Sequence, residues 1–127
     1  MSERISAKER KAIAREYKES YRPTGVYRIV NQTNGRMFVG SSVNLPAIFN
    51  RLRMQLDAGG YLMHSELQRD WQELGAEAFA FEVLQELEPP EGPGWDPAED
   101  LAALEALWLE ELSPYDEKGY NRRPKAS

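Results

Sequence analysis

The sequence predicts a mixed α/β (α+β) domain, a small three-stranded antiparallel sheet flanked by helices, and three observations carry that prediction. The first is the turn signal Thr33-Asn34-Gly35 between two β-favouring runs, one containing Val26, Arg28 and Val30 and the other Arg36, Phe38 and Gly40. Asn-Gly is the strongest short hairpin signal because both residues tolerate positive φ. The second is the alternation of Phe79, Phe81 and Val83, which reads as a third strand. The third is a series of helical segments with recognisable caps around those strands.

Ala7 to Tyr17 are strong helix formers with Ser6 as N-cap and Glu9 as its capping-box partner, so an extra helix precedes the hairpin. Arg22-Pro23-Thr24 imposes an extended entry into the first strand, because the residue before proline disfavours the helical region. After the second strand, Asn44 caps a helix expected from about Leu45 to Leu56. Pro46 lies in its first turn, where a missing N–H costs nothing, and Gly59-Gly60 ends it. His64 or Ser65 opens a short helix through Leu67, Trp71 and Leu74, closed by Gly75. The Pro- and Gly-rich stretch 88–94 propagates neither element and reads as a surface loop. Asp96 at N-cap, Pro97 at the first helical position and Glu99 at the third then start a helix to about Leu112. Its pattern puts Leu101, Leu104, Leu107, Trp108 and Leu112 on one broad apolar face.

The chain has 127 residues, 41% of them apolar, which suits one compact domain with one core. No run approaches the ~20 apolar residues of a membrane span, and the basic, polar N-terminus has no apolar signal segment behind it, so a cytoplasmic protein with no membrane partner is expected. The absence of cysteine excludes disulfides, zinc ribbons and cysteine nucleophiles, and a single histidine excludes clustered-histidine metal sites. The net charge of −5 is unevenly spread. Residues 1–24 carry seven Lys or Arg against four acids, whereas residues 76–118 carry thirteen acids against one lysine. The tail then adds Arg122, Arg123 and Lys125. Basic flanks of this kind suit phosphate contacts, while the acidic segment keeps the domain off non-cognate polyanions.

The triplets Gly25-Val26-Tyr27 and Phe38-Val39-Gly40 face each other across the expected hairpin. With Leu67-Gln68-Arg69-Asp70-Trp71, Phe79 to Leu84, Glu105-Ala106-Leu107-Trp108 and Gly119-Tyr120-Asn121, they form an ordered set that resembles the GIY-YIG nuclease family. The resemblance covers roughly residues 24 to 122. It divides the chain into a basic helical extension over 1–23, a GIY-YIG-like domain over 24–122 and a basic tail over 123–127. It implies a divalent-metal-dependent DNA endonuclease that uses one Mg²⁺ or Mn²⁺ ion.

In that family the first-triplet tyrosine serves as general base or its partner and the second-triplet tyrosine adds a polar contact. An arginine on the next helix stabilises phosphate, a glutamate on the late helix binds the metal, and an asparagine near the C-terminus supports the site. Position by position, the resemblance gives Tyr27 the first role, Glu105 the metal and Asn121 the asparagine position. Two parts are missing: Phe38 lacks the hydroxyl and Ile48 occupies the arginine position, with Leu52 where a histidine often follows. A lost cation of this kind is worth ~3 kcal/mol or more of barrier. Arg51, one turn beyond Ile48 on the same face, can span the offset of roughly 5 Å and is the candidate for a relocated clamp, against a plain exposed arginine. Arg53 points about 140° away and is the poorer candidate.

Hydrolysing a phosphodiester needs water activation and charge neutralisation at the transition state. Tyr27, Arg51 and Asn121 are therefore the candidate catalytic set and Glu105 the candidate metal ligand. Arg15, Lys18, Arg22, Arg28, Arg51 and Arg53 are the candidate DNA contacts. The alternative is the same fold with catalysis lost through Phe38 and Ile48, kept as a nucleic-acid- or protein-binding module. His64 is expected to cap its helix or sit on the surface, and Trp71, Trp95 and Trp108 to be core or core-edge residues.

Overall fold

A computed structural model describes residues 23–61, 63–88 and 95–123. The expected N-terminal helix, its basic residues Arg15, Lys18 and Arg22, and most of the loop 88–94 lie outside the described residues.

The sheet holds three strands, β1 (Thr24–Asn31), β2 (Met37–Ser42) and β3 (Phe79–Leu87), in the antiparallel order β2-β1-β3. β1 is the central strand and is buried along most of its length, with Val26 pointing to one core and Tyr27 and Ile29 to the other. The hairpin register sets Tyr27 opposite Gly40 and Ile29 opposite Phe38, as the facing triplets require. The turn itself departs from the two-residue expectation. Only Gly35 takes positive φ, at 81°, and Asn34 does not. Instead the Asn31 amide N–H donates to the Arg36 carbonyl at 2.8 Å around a longer loop, while the Asn31 and Asn34 side chains accept from Thr33 and Arg36. Asn31 is fully buried and tied elsewhere, so tertiary bonding overrides the local preference.

Three helices cover the sheet. α1 (Leu45–Ala58) starts where Asn44 accepts the Ala47 N–H and ends at Gly59. α2 (Ser65–Leu74) has His64 at its N-cap position without a side-chain capping bond. These two bury Leu45, Leu52, Leu56, Leu67 and Trp71 against Tyr27, Ile29, Phe38 and Phe79. α3 (Ala98–Leu112) lies on the opposite face and packs Leu101, Leu104, Trp108, Leu109 and Leu112 against Val26 and Val39. It starts one residue later than expected, with Pro97 already helical at φ −76°, yet Asp96 still caps, accepting the Ala98 N–H at 3.0 Å.

Two expected core positions are not core. Leu107 is 63% exposed, because at 100° per residue it falls about 120° from Leu101 and about 100° from Trp108. Val83 is 46% exposed. It stays opposite Tyr27, on the face of Phe79 and Phe81, and the β1–β3 register shifts only beyond it, where Val26 stands opposite Gln85 and Leu84 forms a bulge.

The last segment closes the other edge of the sheet. Gly119 bridges Met37 in parallel, the Tyr120 N–H donates to the Met37 carbonyl at 2.9 Å, and a side chain at Gly119 would collide with the Pro114 carbonyl. The Tyr120 hydroxyl accepts from Asn31 Nδ2 at 3.0 Å and donates to Asp70 Oδ2 at 2.7 Å, joining β1, α2 and the C-terminal segment through one buried atom. Burial together with the Asp70 carboxylate pushes its pKa up to about 12, with the Asn31 bond opposing. Tyr120→Phe strands two buried partners and should lower unfolding stability by about 2–3 kcal/mol, read as a lower urea midpoint at unchanged m-value.

Candidate active site

The site is built where the hairpin register meets α3. Tyr27 is buried to 4% exposure, and its phenol lies over Gly40: a Cβ placed there would stand 2.6 Å from the Tyr27 oxygen. Only glycine opposite the tyrosine leaves room for that ring, which is the physical reason for pairing these two residues across the strands. Phe49 of α1 packs edge-on to the Tyr27 ring at 5.5 Å and Phe38 lies 6.2 Å away. Burial raises the Tyr27 pKa well beyond the ordinary phenol value, and the nearby Tyr61 and Glu105 add in the same direction. Glu105, on the helix covering the other face, therefore shares electrostatic surroundings with Tyr27. It is half-buried, with no hydrogen-bond or ion-pair partner among the described residues.

Asn121 is committed to the backbone. Its Oδ1 accepts the Val39 N–H at 2.9 Å and its Nδ2 donates to the Val39 carbonyl at 2.8 Å. It thus mimics a neighbouring strand along the β2 edge and fixes the residue between Phe38 and Gly40. Ile48 is partly buried against the cluster of Tyr27 and Phe38, and Leu52, one turn on, is 3% exposed. The family's two cationic positions are thus filled by core. Arg51 is exposed, with no partner among the described residues. Arg28 pairs with Glu82 at 2.8 Å, and Arg53 lies over the Phe81 ring at 4.4 Å.

The motifs alone did not single out Tyr61 or Arg36. Tyr61 is 9% exposed in the Tyr27 cluster, and nothing in its sequence position after Gly59-Gly60 marks it. Arg36 is a hub: it pairs with Glu66, lies 3.6 Å from Asp70, covers the Tyr120 ring at 4.4 Å and donates to the Gly119 carbonyl at 3.1 Å. Arg36, His64, Tyr120 and Asn121 help line an open cleft of about 650 Å³ that does not include Tyr27 or Glu105. Among the described residues no group of three or more His, Cys, Asp or Glu could hold a metal. Any ion at Glu105 therefore needs water or substrate oxygens for its remaining ligands.

The fold is that of known structures. The catalytic domain of the homing endonuclease I-TevI matches with 26% identity and a TM-score of 0.63, over 80% of this chain and 99% of that one. A mutant form of the catalytic domain of the intron endonuclease I-TevI matches with 24% identity and a TM-score of 0.64, over 78% and 92%. This chain has a GIY-YIG-like fold, a three-stranded antiparallel sheet with helices. No protein-family model and no curated protein sequence matches it. No helix among the described residues is long and apolar enough to cross a membrane.

His64 supplies a test of the surroundings of β2. Its ring lies 4.6 Å from that of Phe38, and its Nδ1 is buried without a partner. Burial, then the Arg122 cation, lowers its pKa from 6.5, while a backbone contact with Tyr120 opposes. The folded state therefore binds the proton less readily than the unfolded chain. The stability contributed by neutral His64 is present above pH 6.5 and is lost as pH falls from there through the folded-state value. Because the chain has one histidine, its NMR titration is unambiguous: the midpoint should lie below 6.5, and Arg122→Ala should raise it.

Proposed function

We propose that this GIY-YIG-like domain is a divalent-metal-dependent endonuclease that hydrolyses phosphodiester bonds in DNA, with a phosphate clamp weaker than the resemblance implies. The observation that carries this reading is the placement of the Tyr27 phenol, laid over Gly40, in the field of an unpartnered Glu105. The structural neighbours are catalytic domains of an endonuclease, which supports a nucleic-acid substrate, and the resemblance to GIY-YIG nucleases points to DNA.

The donor set fits Mg²⁺ or Mn²⁺, since a single half-buried carboxylate with no competing partner is the kind of ligand a magnesium ion takes alongside substrate phosphates. When bound, such an ion supplies Lewis acidity and acidifies a coordinated water. The chain's own residues do the rest. Tyr27 is a neutral phenol at pH 7, and its hydroxyl has no partner among the described residues, so it can hold the attacking water or a phosphate oxygen. Asn121 keeps β2 in place beneath it, acting as a positioning residue. Arg51, with Arg15, Lys18 and Arg22 of the 1–23 extension and the basic tail, supplies the phosphate contacts. Arg28 and Arg53 stay partly engaged with Glu82 and Phe81.

One observation favours the second reading, a binding module without catalysis: Phe38 and Ile48 put apolar side chains where a hydroxyl and a cation belong. Incubation with plasmid, single-stranded and branched DNA in Mg²⁺ and Mn²⁺ separates the two. Glu105→Ala should lower cleavage by on the order of 10² or more with binding retained, and equal activity would expose a contaminant. Ile48→Arg combined with Phe38→Tyr should raise cleavage at least about tenfold while leaving affinity nearly unchanged. Strong wild-type cutting that Arg51→Ala abolishes, with the domain still folded, would make Arg51 the relocated clamp. No cleavage by any variant, with salt-dependent DNA binding, leaves the binding module.

A further inference from the structure

We infer that Tyr61 supplies the hydroxyl that Phe38 lacks, standing beside Tyr27 as a second phenolic donor for a phosphate oxygen of the substrate. The inference deepens the nuclease reading and rests on it for the identity of the ligand.

Placement comes first. Tyr61 belongs to the same buried cluster as Tyr27 and Phe38, and the His64 ring bridges to it, 4.6 Å from Phe38 and 5.8 Å from Tyr61. Its backbone is fixed by a buried side chain: Gln68 Oε1 accepts the Tyr61 N–H at 2.9 Å while Gln68 Nε2 donates to the Leu56 carbonyl at 2.8 Å. A residue just past a Gly-Gly helix end is thereby tied to both α1 and α2.

The hydroxyls differ from their rings. Tyr27 and Tyr61 are 4% and 9% exposed, yet neither hydroxyl has a hydrogen-bond partner among the described residues. Neither is among the fully enclosed unpartnered atoms, so each reaches solvent. Buried phenols normally find partners, as Tyr120 does with Asn31 and Asp70. Two that do not, in one cluster, leave two donors available to a group from outside the fold. The phenols also feel each other, Tyr61 raising the pKa of Tyr27, and burial raises that of Tyr61 itself, so both carry their protons at pH 7. Paired O–H donors match an oxygen that only accepts, which is what a phosphodiester presents.

Tyr61→Phe removes one oxygen and keeps the ring. Its melting temperature should equal that of the wild type, because that oxygen makes no bond within the described fold. Its affinity for a fluorescein-labelled duplex in Ca²⁺ should fall about fivefold, and kcat for cleavage in Mn²⁺ at least about tenfold, the scale of a hydrogen bond to a charged group. Unchanged affinity in Tyr61→Phe overturns the inference whether or not the wild type cuts, and a lowered melting temperature overturns it in favour of a structural role. A wild type that never cuts, but whose binding falls in Tyr61→Phe, defeats the hydrolytic reading and leaves the phosphate contact standing. A wild type that binds no DNA defeats both.

Discussion

The structure depends on one cross-strand pair, Tyr27 against Gly40. Side chains alternate with period two along a strand, so a slip of β2 by one residue against β1 would send Phe38 to the α3 side and Val39 to the α1–α2 side. The phenol resting on the bare backbone of Gly40 penalises every slipped register, because any other residue there would meet the ring with a Cβ. The same contact positions the hydroxyl. Fold specificity and site geometry are in this sense one interaction, and the apolar shell of Phe38, Phe49 and Ile48 around it excludes water from the ring while leaving the oxygen open.

A three-stranded sheet has two edges, and this one handles them differently. Along β2 the segment 119–121 supplies backbone and Asn121 side-chain bonds at Met37 and Val39, so the edge beside the site cannot pair with another chain. The polar hub beneath it is dense: Tyr120 joins Asn31 to Asp70, and Arg36 stacks on the Tyr120 ring and draws in Glu66 and Asp70. Networks of this kind specify one arrangement when satisfied, and each deletion strands the others. At β3 the device is a bulge at Leu84, which twists the strand.

Local signals in the sequence carried much of this. Asn44 at a helix start, Gly59 at its end, Asp96 before α3 and alternation at Phe79 and Phe81 are each decided within a few residues. That the two triplets face each other was legible from the turn signal between them, whereas the register that sets Tyr27 opposite Gly40 belongs to the longer loop closed at Asn31. What was not legible depends on distant partners. The bulge at Leu84 depends on β1, and the Asn34 backbone yields to a bond between Asn31 and a residue 89 positions away. Tyr61 depends on a glutamine of the next helix. Asn121 looks like any turn asparagine until the β2 edge lies beside it. Leu107 was misplaced for the opposite reason: heptad-like spacing was read as one face, although its angle already set it apart.

Electrostatics decide what such a site can do. Around the Tyr27 hydroxyl lie one formal negative charge, Glu105, and a second neutral phenol, in a partly buried setting where charges act at an effective dielectric well below that of water. A phosphodiester entering alone meets repulsion from Glu105 and attraction only from neutral donors, so net binding there needs a cation, whether a metal at Glu105 or a guanidinium on α1. Ile48 and Leu52 fill the inner face of that helix with hydrocarbon, which strengthens the core that holds Tyr27 but surrenders charge stabilisation at the same spot. The exposed Arg51 sits at the boundary between these demands. On the reading proposed above, an exposed cation at Arg51 keeps its hydration until substrate arrives, whereas an arginine at position 48 would have to displace part of the packing around Tyr27.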